Sequence, residues 1–216
     1  MIGIDSICIS MDYMNFKTPY SRWDKVRRLL WTIVWGVCAR PLPKSMGRKW
    51  KILLLRIFGA KVAWTANVYS SAKVFKPWLL EMKDYACLAS GVDCYNAAPV
   101  VLGVNAIVSQ RAFLCTAGHD ITDPHHHQTE APIIIEDRAW VCAEAFVGQG
   151  VTIGEGAVVC PRGVAVKNVE PWTVVGGNPA KFIKMRKINE VLTGWGIQPL
   201  NRNCFTTALG RIKLSA

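Results

Sequence analysis

The stretch that decides the fold is Val147-Gly148-Gln149-Gly150-Val151-Thr152-Ile153-Gly154-Glu155-Gly156-Ala157-Val158. An aliphatic residue returns after six positions, from Val147 to Ile153. Four residues after each stands a β-branched or small one, Val151 and Ala157. In the same phase the chain reads Ile135, Val141, Val147, Ile153, Val159 and Ala165. Their +4 partners are Ala139, Ala145, Val151, Ala157, Gly163 and Val169. Toward the N-terminus, Val62, Val68 and Val74 are followed at +4 by Ala66, Ala72 and Trp78. Met82, Leu88 and Cys94 are followed by Ala86, Val92 and Ala98. Leu102, Val108 and Leu114 are followed by Ala106, Ala112 and Gly118.

A period of six is neither that of a helix, at 3.6, nor that of a plain strand, at 2. It fits short strands that turn a corner every six residues and keep one aliphatic side chain inside each time, the hexapeptide β-helix pattern. Three such strands close one triangular coil. The register slips by two at residues 80–81, by two at 100–101 and by fifteen at 120–134. Between slips the hexads come in threes: 62–79, 82–99, 102–119, 135–152 and 153–170. Five coils follow, with every insertion at the same corner.

The organisation is therefore a basic helical extension over 1–61, a β-helix over 62–180 with a loop insertion at 120–134, and a basic C-terminal helix and tail over 181–216. In the first part, Asp24-Lys25-Val26-Arg27-Arg28-Leu29-Leu30-Trp31 opens a helix that Pro41 and Pro43 break. Trp50–Phe58 reads as a second helix stopped by Gly59. After residue 181 a short helix is expected, then a mobile tail.

The 216 residues are 51% hydrophobic and suffice for one domain with a real core. The formal charge of +11 suggests nucleic acid until it is divided along the chain. Residues 1–61 carry net +9, residues 62–180 net −4 and residues 181–216 net +6. A body that is acidic overall argues against a nucleic-acid groove along it. The N-terminus has no secretory pattern. The longest uncharged apolar stretch, Leu29–Ala39, has eleven residues, against about 20 needed to span a bilayer. Eight cysteines without a C-x-x-C fit reduced thiols in a cytoplasmic protein better than a disulfide framework. The basic N-terminal helices are suited to capping the open end of the β-helix or to a peripheral membrane contact, and the two roles are compatible.

All four histidines lie in one place: His119 at the end of the third coil, and His125, His126 and His127 in the insertion. A loop of that length inside a compact repeat is usually functional. Three adjacent loop histidines with none from another coil make a poor metal cage, so no metal is expected.

Four features together resemble the hexapeptide-repeat acyltransferases: the hexads, Gly118-His119-Asp120 before the loop, Glu136-Asp137-x-x-Trp140 after it, and Gly176-Gly177-Asn178-Pro179-Ala180-Lys181 at the end. Within them, the chain is most similar to the colanic acid biosynthesis acetyltransferase group, which is related to the galactoside, maltose and nodulation acetyltransferases. The resemblance covers about residues 25–187. It implies a left-handed parallel β-helix, an exception to the right-handed crossover rule. It also implies a homotrimer with active sites between subunits, acetyl-CoA as donor and a sugar hydroxyl as acceptor, as in exopolysaccharide or glycan biosynthesis.

By that resemblance His119 is the general base, taking the hydroxyl proton as the oxygen attacks the thioester. Ala143 stabilises the oxyanion through its backbone N–H. Trp140 lies against the pantetheine arm, and Lys181 and Lys184 meet the CoA phosphates, one helical turn presenting both on one face. Asn96 and Asp93 hold the acceptor, and Asp120 orients the acceptor or the base. Two departures mark the CoA side. The family's Gly-Ala-Gly is here Cys160-Pro161-Arg162, so Pro161 removes a backbone donor, which Arg162 could replace by a phosphate contact. The family's Thr is here Val166. No acyl-enzyme is needed, and Cys115, Cys142 and Cys160 read as small β-helix residues. These departures also admit a different reading, a non-catalytic β-helix that docks on a membrane glycan-assembly complex.

Overall fold

The structure is a computed structural model that describes residues 20–42, 47–188, 192–193 and 196–197. Residues 1–19, Pro43 and most of the tail expected beyond residue 188 lie outside the described residues.

Three parallel sheets run the length of the body as the faces of a prism. The first face stacks Lys61–Val62, Leu80–Met82, Val100–Leu102, Ile133–Ile135 and Thr152–Ile153. The second stacks Asn67–Val68, Cys87–Leu88, Ile107–Val108, Trp140–Val141, Val158–Val159 and Thr173–Gly176. The third stacks Lys73–Val74, Asp93–Tyr95, Phe113–Cys115, Phe146–Val147 and Val164–Ala165. Five complete coils result. A partial sixth begins where Val169 bridges Ile153 and ends with Thr173–Gly176.

The hexad phase is what holds this together. All fifteen hexad positions from Val62 to Ala165, Cys94 among them, are buried, and Leu88, Val108, Val141 and Val159 stack at zero exposure in one column. The +4 positions are buried too, except Trp78 and Gly118, both of which stand at the corner where the chain makes its insertions. Corner residues adopt the left-handed conformation at the same level in successive coils: Asn105, Arg138, Gly156 and Trp172 between the first and second faces, and Gly91, Arg111, Glu144 and Arg162 between the second and third. Long charged side chains stacked this way pair up the prism. Glu144 bridges Arg111 and Arg162, and Arg138 pairs with Glu155.

Two helices close the first end. Helix α1, Arg22–Cys38, starts at Ser21, whose hydroxyl accepts from the Asp24 N–H. It lies on the first coil: Trp31 Nε1 donates to Val74 O at 2.7 Å and Trp35 Nε1 to Ser70 O at 3.2 Å. Helix α2, Arg48–Ile57, buries Ile52, Leu54 and Leu55 over the coil's open end, and Gly59 (φ +93°) turns the chain into the first strand. The expected end cap is therefore present.

The expected helix after residue 181 is a strand instead. Lys181–Met185 runs antiparallel to Thr173–Gly176. The exposed edge of the last coil offers unpaired N–H and C=O groups, and pairing with them outweighs the local helix pattern. A further short antiparallel pair, Leu192–Thr193 with Gly196–Ile197, follows.

The long insertion is a β-hairpin. Its strands, Ala117–His119 and Gln128–Glu130, pair antiparallel and leave the corner between the third and first faces. His119 therefore belongs to the hairpin rather than to the end of the third coil. Thr116, fully buried, anchors its base by donating to Tyr95 O and accepting from the Ala98 N–H.

Candidate active site

His119 stands exposed on the hairpin, and its Nδ1 lies 2.7 Å from the carbonyl oxygen of His126. A carbonyl only accepts, so Nδ1 carries the hydrogen. In the neutral ring the lone pair then sits on Nε2. A proton taken up by the neutral ring goes to that one nitrogen.

The carbonyl that does this is itself held. His126 has φ +50°, and its N–H donates to Asp123 O at 2.9 Å. The Asp123 carboxylate grips both flanks: Oδ1 accepts from the His125 N–H at 2.9 Å and Oδ2 from the His127 N–H at 3.1 Å. Oδ2 also pairs with His127 Nδ1. These bonds, led by that from the His125 backbone, hold the Asp123 carboxyl down at about 2. Asp123 and the His126 carbonyl were not singled out in the sequence. The Asp120-x-x-Asp123 spacing before the histidines, with its capacity for Asx turns, was the available signal.

Asp120, expected to orient acceptor or base, is committed to its own turn. Its Oδ1 accepts from Thr122 Oγ1 at 2.6 Å and from the Thr122 N–H at 2.8 Å, which holds its carboxyl below the usual range. Asn96, expected at the acceptor, is wholly buried. Its amide spans two coils, accepting from the Lys76 N–H at 2.9 Å and donating to Lys76 O at 2.6 Å. It is a structural clamp, because both ends of the amide satisfy backbone groups that the insertion corner leaves unpaired. Asp93 remains accessible on the third face, with Lys73 Nζ at 3.5 Å.

The residues expected on the donor side, Trp140, Ala143, Pro161 and Arg162, gather on the second face and its corner with the third. Trp140 is half-exposed, its indole N–H donating to Ser109 Oγ at 2.8 Å. Ala143 and Pro161 occupy the same turn position one coil apart, and Ala143 O accepts from the Arg162 N–H at 3.0 Å. Gly163 N–H closes the turn onto Cys160 O at 2.9 Å, with Arg162 at φ +59°. That is a type II turn with proline at its second position, where proline's fixed φ is favoured. The departure at Pro161 is thus compatible with the coil, and it removes an N–H that the ladder does not use. The Ala143 amide donates to no group among the described residues. Arg162 is engaged by Glu144, its Nε 2.5 Å from Oε2, rather than turned outward alone.

Lys181 and Lys184 lie on the terminal strand, not on a helical turn. A bulge at Val174/Val175 sets Lys181 opposite Gly176 and Lys184 opposite Val174. Those partners are two apart, so the extra residue restores a shared face to lysines that a regular strand would split. Val166 is exposed. Cys94 and Cys142 are poor nucleophiles: burial pushes Cys142 up to about 11 and raises Cys94 further. Among the described residues no group of three or more His, Cys, Asp or Glu side chains could hold a metal ion.

One chain does not join these two sets. The hairpin leaves the corner between the third and first faces, where Thr129 Oγ1 and the Gln149 side-chain amide meet at 3.1 Å. Trp140 and Ala143 lie on and beside the second face, with the third face between.

No family model matches the chain. An Escherichia coli (strain K12) protein named as a colanic acid biosynthesis acetyltransferase, WcaF, is 33% identical over 177 residues, which is 81% of this chain and 97% of that protein. A hexapeptide-repeat acetyltransferase of Vibrio cholerae, solved with acetyl coenzyme A, superposes with TM-score 0.69 at 22% identity, over 80% of this chain and 94% of that one. A maltose O-acetyltransferase of Clostridium difficile 630 superposes with TM-score 0.69 at 19% identity, over 78% and 90% of the two chains. The solenoid coils left-handed, as in those structures. With 33% identity across nearly the whole of one relative and a shared fold with the others, the chain belongs to the hexapeptide-repeat acetyltransferases, in the group of the colanic acid biosynthesis acetyltransferases.

Proposed function

We propose that the protein moves an acetyl group from acetyl-CoA to a sugar hydroxyl, in exopolysaccharide or glycan biosynthesis, with His119 as general base. The observation that carries this is the His119 Nδ1–His126 O bond, which leaves the basic lone pair on Nε2. Nε2 takes the hydroxyl proton as the sugar oxygen attacks the thioester carbon. The Ala143 N–H stabilises the oxyanion. Collapse forms the ester, breaks the C–S bond and returns the proton to the departing CoA thiolate. Trp140 lies along the pantetheine arm, and Lys181 and Lys184 meet the phosphates.

The separation of hairpin and donor residues in one chain supports a homotrimer, in which the hairpin of one subunit faces the second face of the next. The test is acetyl transfer from acetyl-CoA to a sugar panel by wild type and His119→Ala. Loss of transfer with the substitution is expected, and unchanged transfer would refute the base. Absence of CoA binding at millimolar concentration in calorimetry would instead favour the non-catalytic docking reading.

A peripheral contact with the inner face of the membrane has its own support. Trp23, Val26, Leu30, Ile33 and Val37 form an exposed apolar stripe on α1, spaced three and four apart, beside Arg22, Lys25 and Arg27. No described helix is long and apolar enough to cross a membrane. Flotation with anionic vesicles, abolished by Trp23→Ala with Leu30→Ala, is expected. Equal recovery with zwitterionic vesicles would remove the role of charge.

A further inference from the structure

Helix α1 does not lie flush on the prism. Between its inner edge and the third face runs a groove of about 570 Å³, within the range of about 300–1,000 Å³ typical of small-molecule sites. Trp31, Trp35, Phe75 and Tyr95 supply aromatic walls. Four cationic side chains line it, Lys25, Arg28, Arg40 and Lys73, against one lining carboxylate, Asp93, which already pairs with Lys73. Asp24, one turn before Arg28 on α1, pairs with the Arg28 guanidinium at 3.3 Å, so the excess positive charge is that of Lys25 and Arg40. Arg28 is held in place by stacking, its guanidinium 4.7 Å from the Tyr20 ring centroid and 4.6 Å from that of Phe75. The groove is therefore preorganised and carries an excess of positive charge, supplied by the basic N-terminal segment against the third face of a net-negative β-helix.

It also reaches the hairpin. Tyr20, which packs on Phe75 and under Arg28, accepts a 2.7 Å hydrogen bond at its hydroxyl from Gln128 Nε2. Gln128 is the cross-strand partner of His119. Directly paired residues of an antiparallel ladder lie about 5 Å apart. One aromatic ring and one strand pairing thus separate the groove wall from the base. A second link runs through the backbone, since Tyr95 of the groove pairs with Cys115, which leads into the hairpin strand.

We propose that this groove binds an anionic group, a phosphate or a carboxylate, carried by the sugar that is acetylated. The proposal rests on the acetyltransferase reading and narrows it: the acceptor is a charged sugar, whose anion docks between α1 and the third face while a hydroxyl reaches Nε2 of His119. Aromatic walls take the apolar face of a sugar ring, and the cations take its charge. Arginine and lysine serve phosphate and carboxylate alike, so the two sources are separated by experiment.

The test compares three acceptors of one sugar, a neutral methyl glycoside, the glycosyl phosphate and the uronic acid glycoside, in steady-state kinetics. At least one anionic form is expected to have a KM about tenfold lower than the neutral form. Preference for only one of them names the anion. Arg40→Gln and Lys25→Gln are expected to bring the anionic-to-neutral KM ratio toward one with little change in kcat. Lys61→Gln, an equal charge loss outside the groove, is expected to keep the ratio. Equal KM values for all three acceptors in the wild type, or a ratio that Lys61→Gln shifts as much as Arg40→Gln, would overturn the proposal. Calorimetry of the wild-type protein with the glycosyl phosphate and with the uronic acid glycoside keeps the two readings apart. Saturable binding of either, weakened by Arg40→Gln, supports the groove even where no acetyl transfer is found. No binding of either overturns it even where neutral sugars are acetylated.

Discussion

The body and the hairpin of this molecule are built on opposite rules. In the coils each level repeats the one below, and every sixth residue is buried. Stability there comes from stacked aliphatic columns and parallel backbone ladders. In the hairpin, residues 117–130, nothing repeats and the tip is exposed. Order there comes from two carboxylates, Asp120 and Asp123, that collect backbone N–H groups. The repeat supplies a rigid frame, and the proposed base stands where the repeat is interrupted.

If that contrast holds, substitutions in the two regions should fail in different currencies. The largest effect falls on the hairpin: His119→Ala lowers kcat by about a hundred- to ten-thousand-fold, with an unchanged melting temperature. A matching loss of melting temperature would erase the distinction. In the body, Ile153→Ala removes a fully buried side chain between two coils and costs about 2–5 kcal/mol in denaturant unfolding. Its kcat, measured on the folded fraction, stays near wild type.

Asp123→Ala sharpens the comparison within the hairpin. It releases both flanks of His126 and so loosens the carbonyl that orients His119. A loss in kcat of roughly ten- to hundredfold is expected, with the KM for acetyl-CoA unmoved. A change confined to KM would show that the clamp serves something other than the base. Acid should separate the regions as well. The Asp123 carboxyl titrates at about 2 in the folded protein against an ordinary 3.8. A depressed carboxyl stabilises at pH values above the ordinary one, and the contribution drains away as pH falls toward the folded value. Amide exchange at His125 and His127 should therefore speed up as pH drops from about 4 to about 2, relative to the intrinsic rate, before the coils respond. The smallest effect is at the corner of the fifth coil, where Pro161→Ala should cost about 0.4–1 kcal/mol through the unfolded chain. An increase in stability would mean that proline strains that turn.

Much of the frame could be read from the sequence because it is periodic. Val62 through Ala165 occupy the interior in the phase the hexads predict, all insertions fall at one corner, and the Asp24–Trp31 run and Gly59 mark the two helices. Strand formation at Lys181–Met185 was not legible, because the open edge that recruits it, Thr173–Gly176, exists only once the coils have stacked beneath it. Asn96 reads as a site residue by its polarity, and only its depth and its two bonds to Lys76 reveal a clamp. The groove beside α1 was equally hidden. Tyr20 and Gln128 are 108 positions apart, and no local pattern reports that they touch. A candidate that depends on a single local step, Gly118-His119-Asp120, can be named from the sequence. One that depends on one element lying across another cannot.

The strand Lys181–Met185 also has a meaning for the protein in a crowded solution. A parallel solenoid is an unfinished object at both ends, because each level is a template for another. A second copy could add its first coil to the last one and begin a fibre. Reversing direction at the top replaces a parallel template with an antiparallel one, which the next coil cannot match in polarity. With α2 occupying the other end, the stack has a fixed number of levels. Growth arrest is thereby written into the terminal turn, Gly176-Gly177-Asn178-Pro179, and a chain truncated before Lys181 should elongate into filaments.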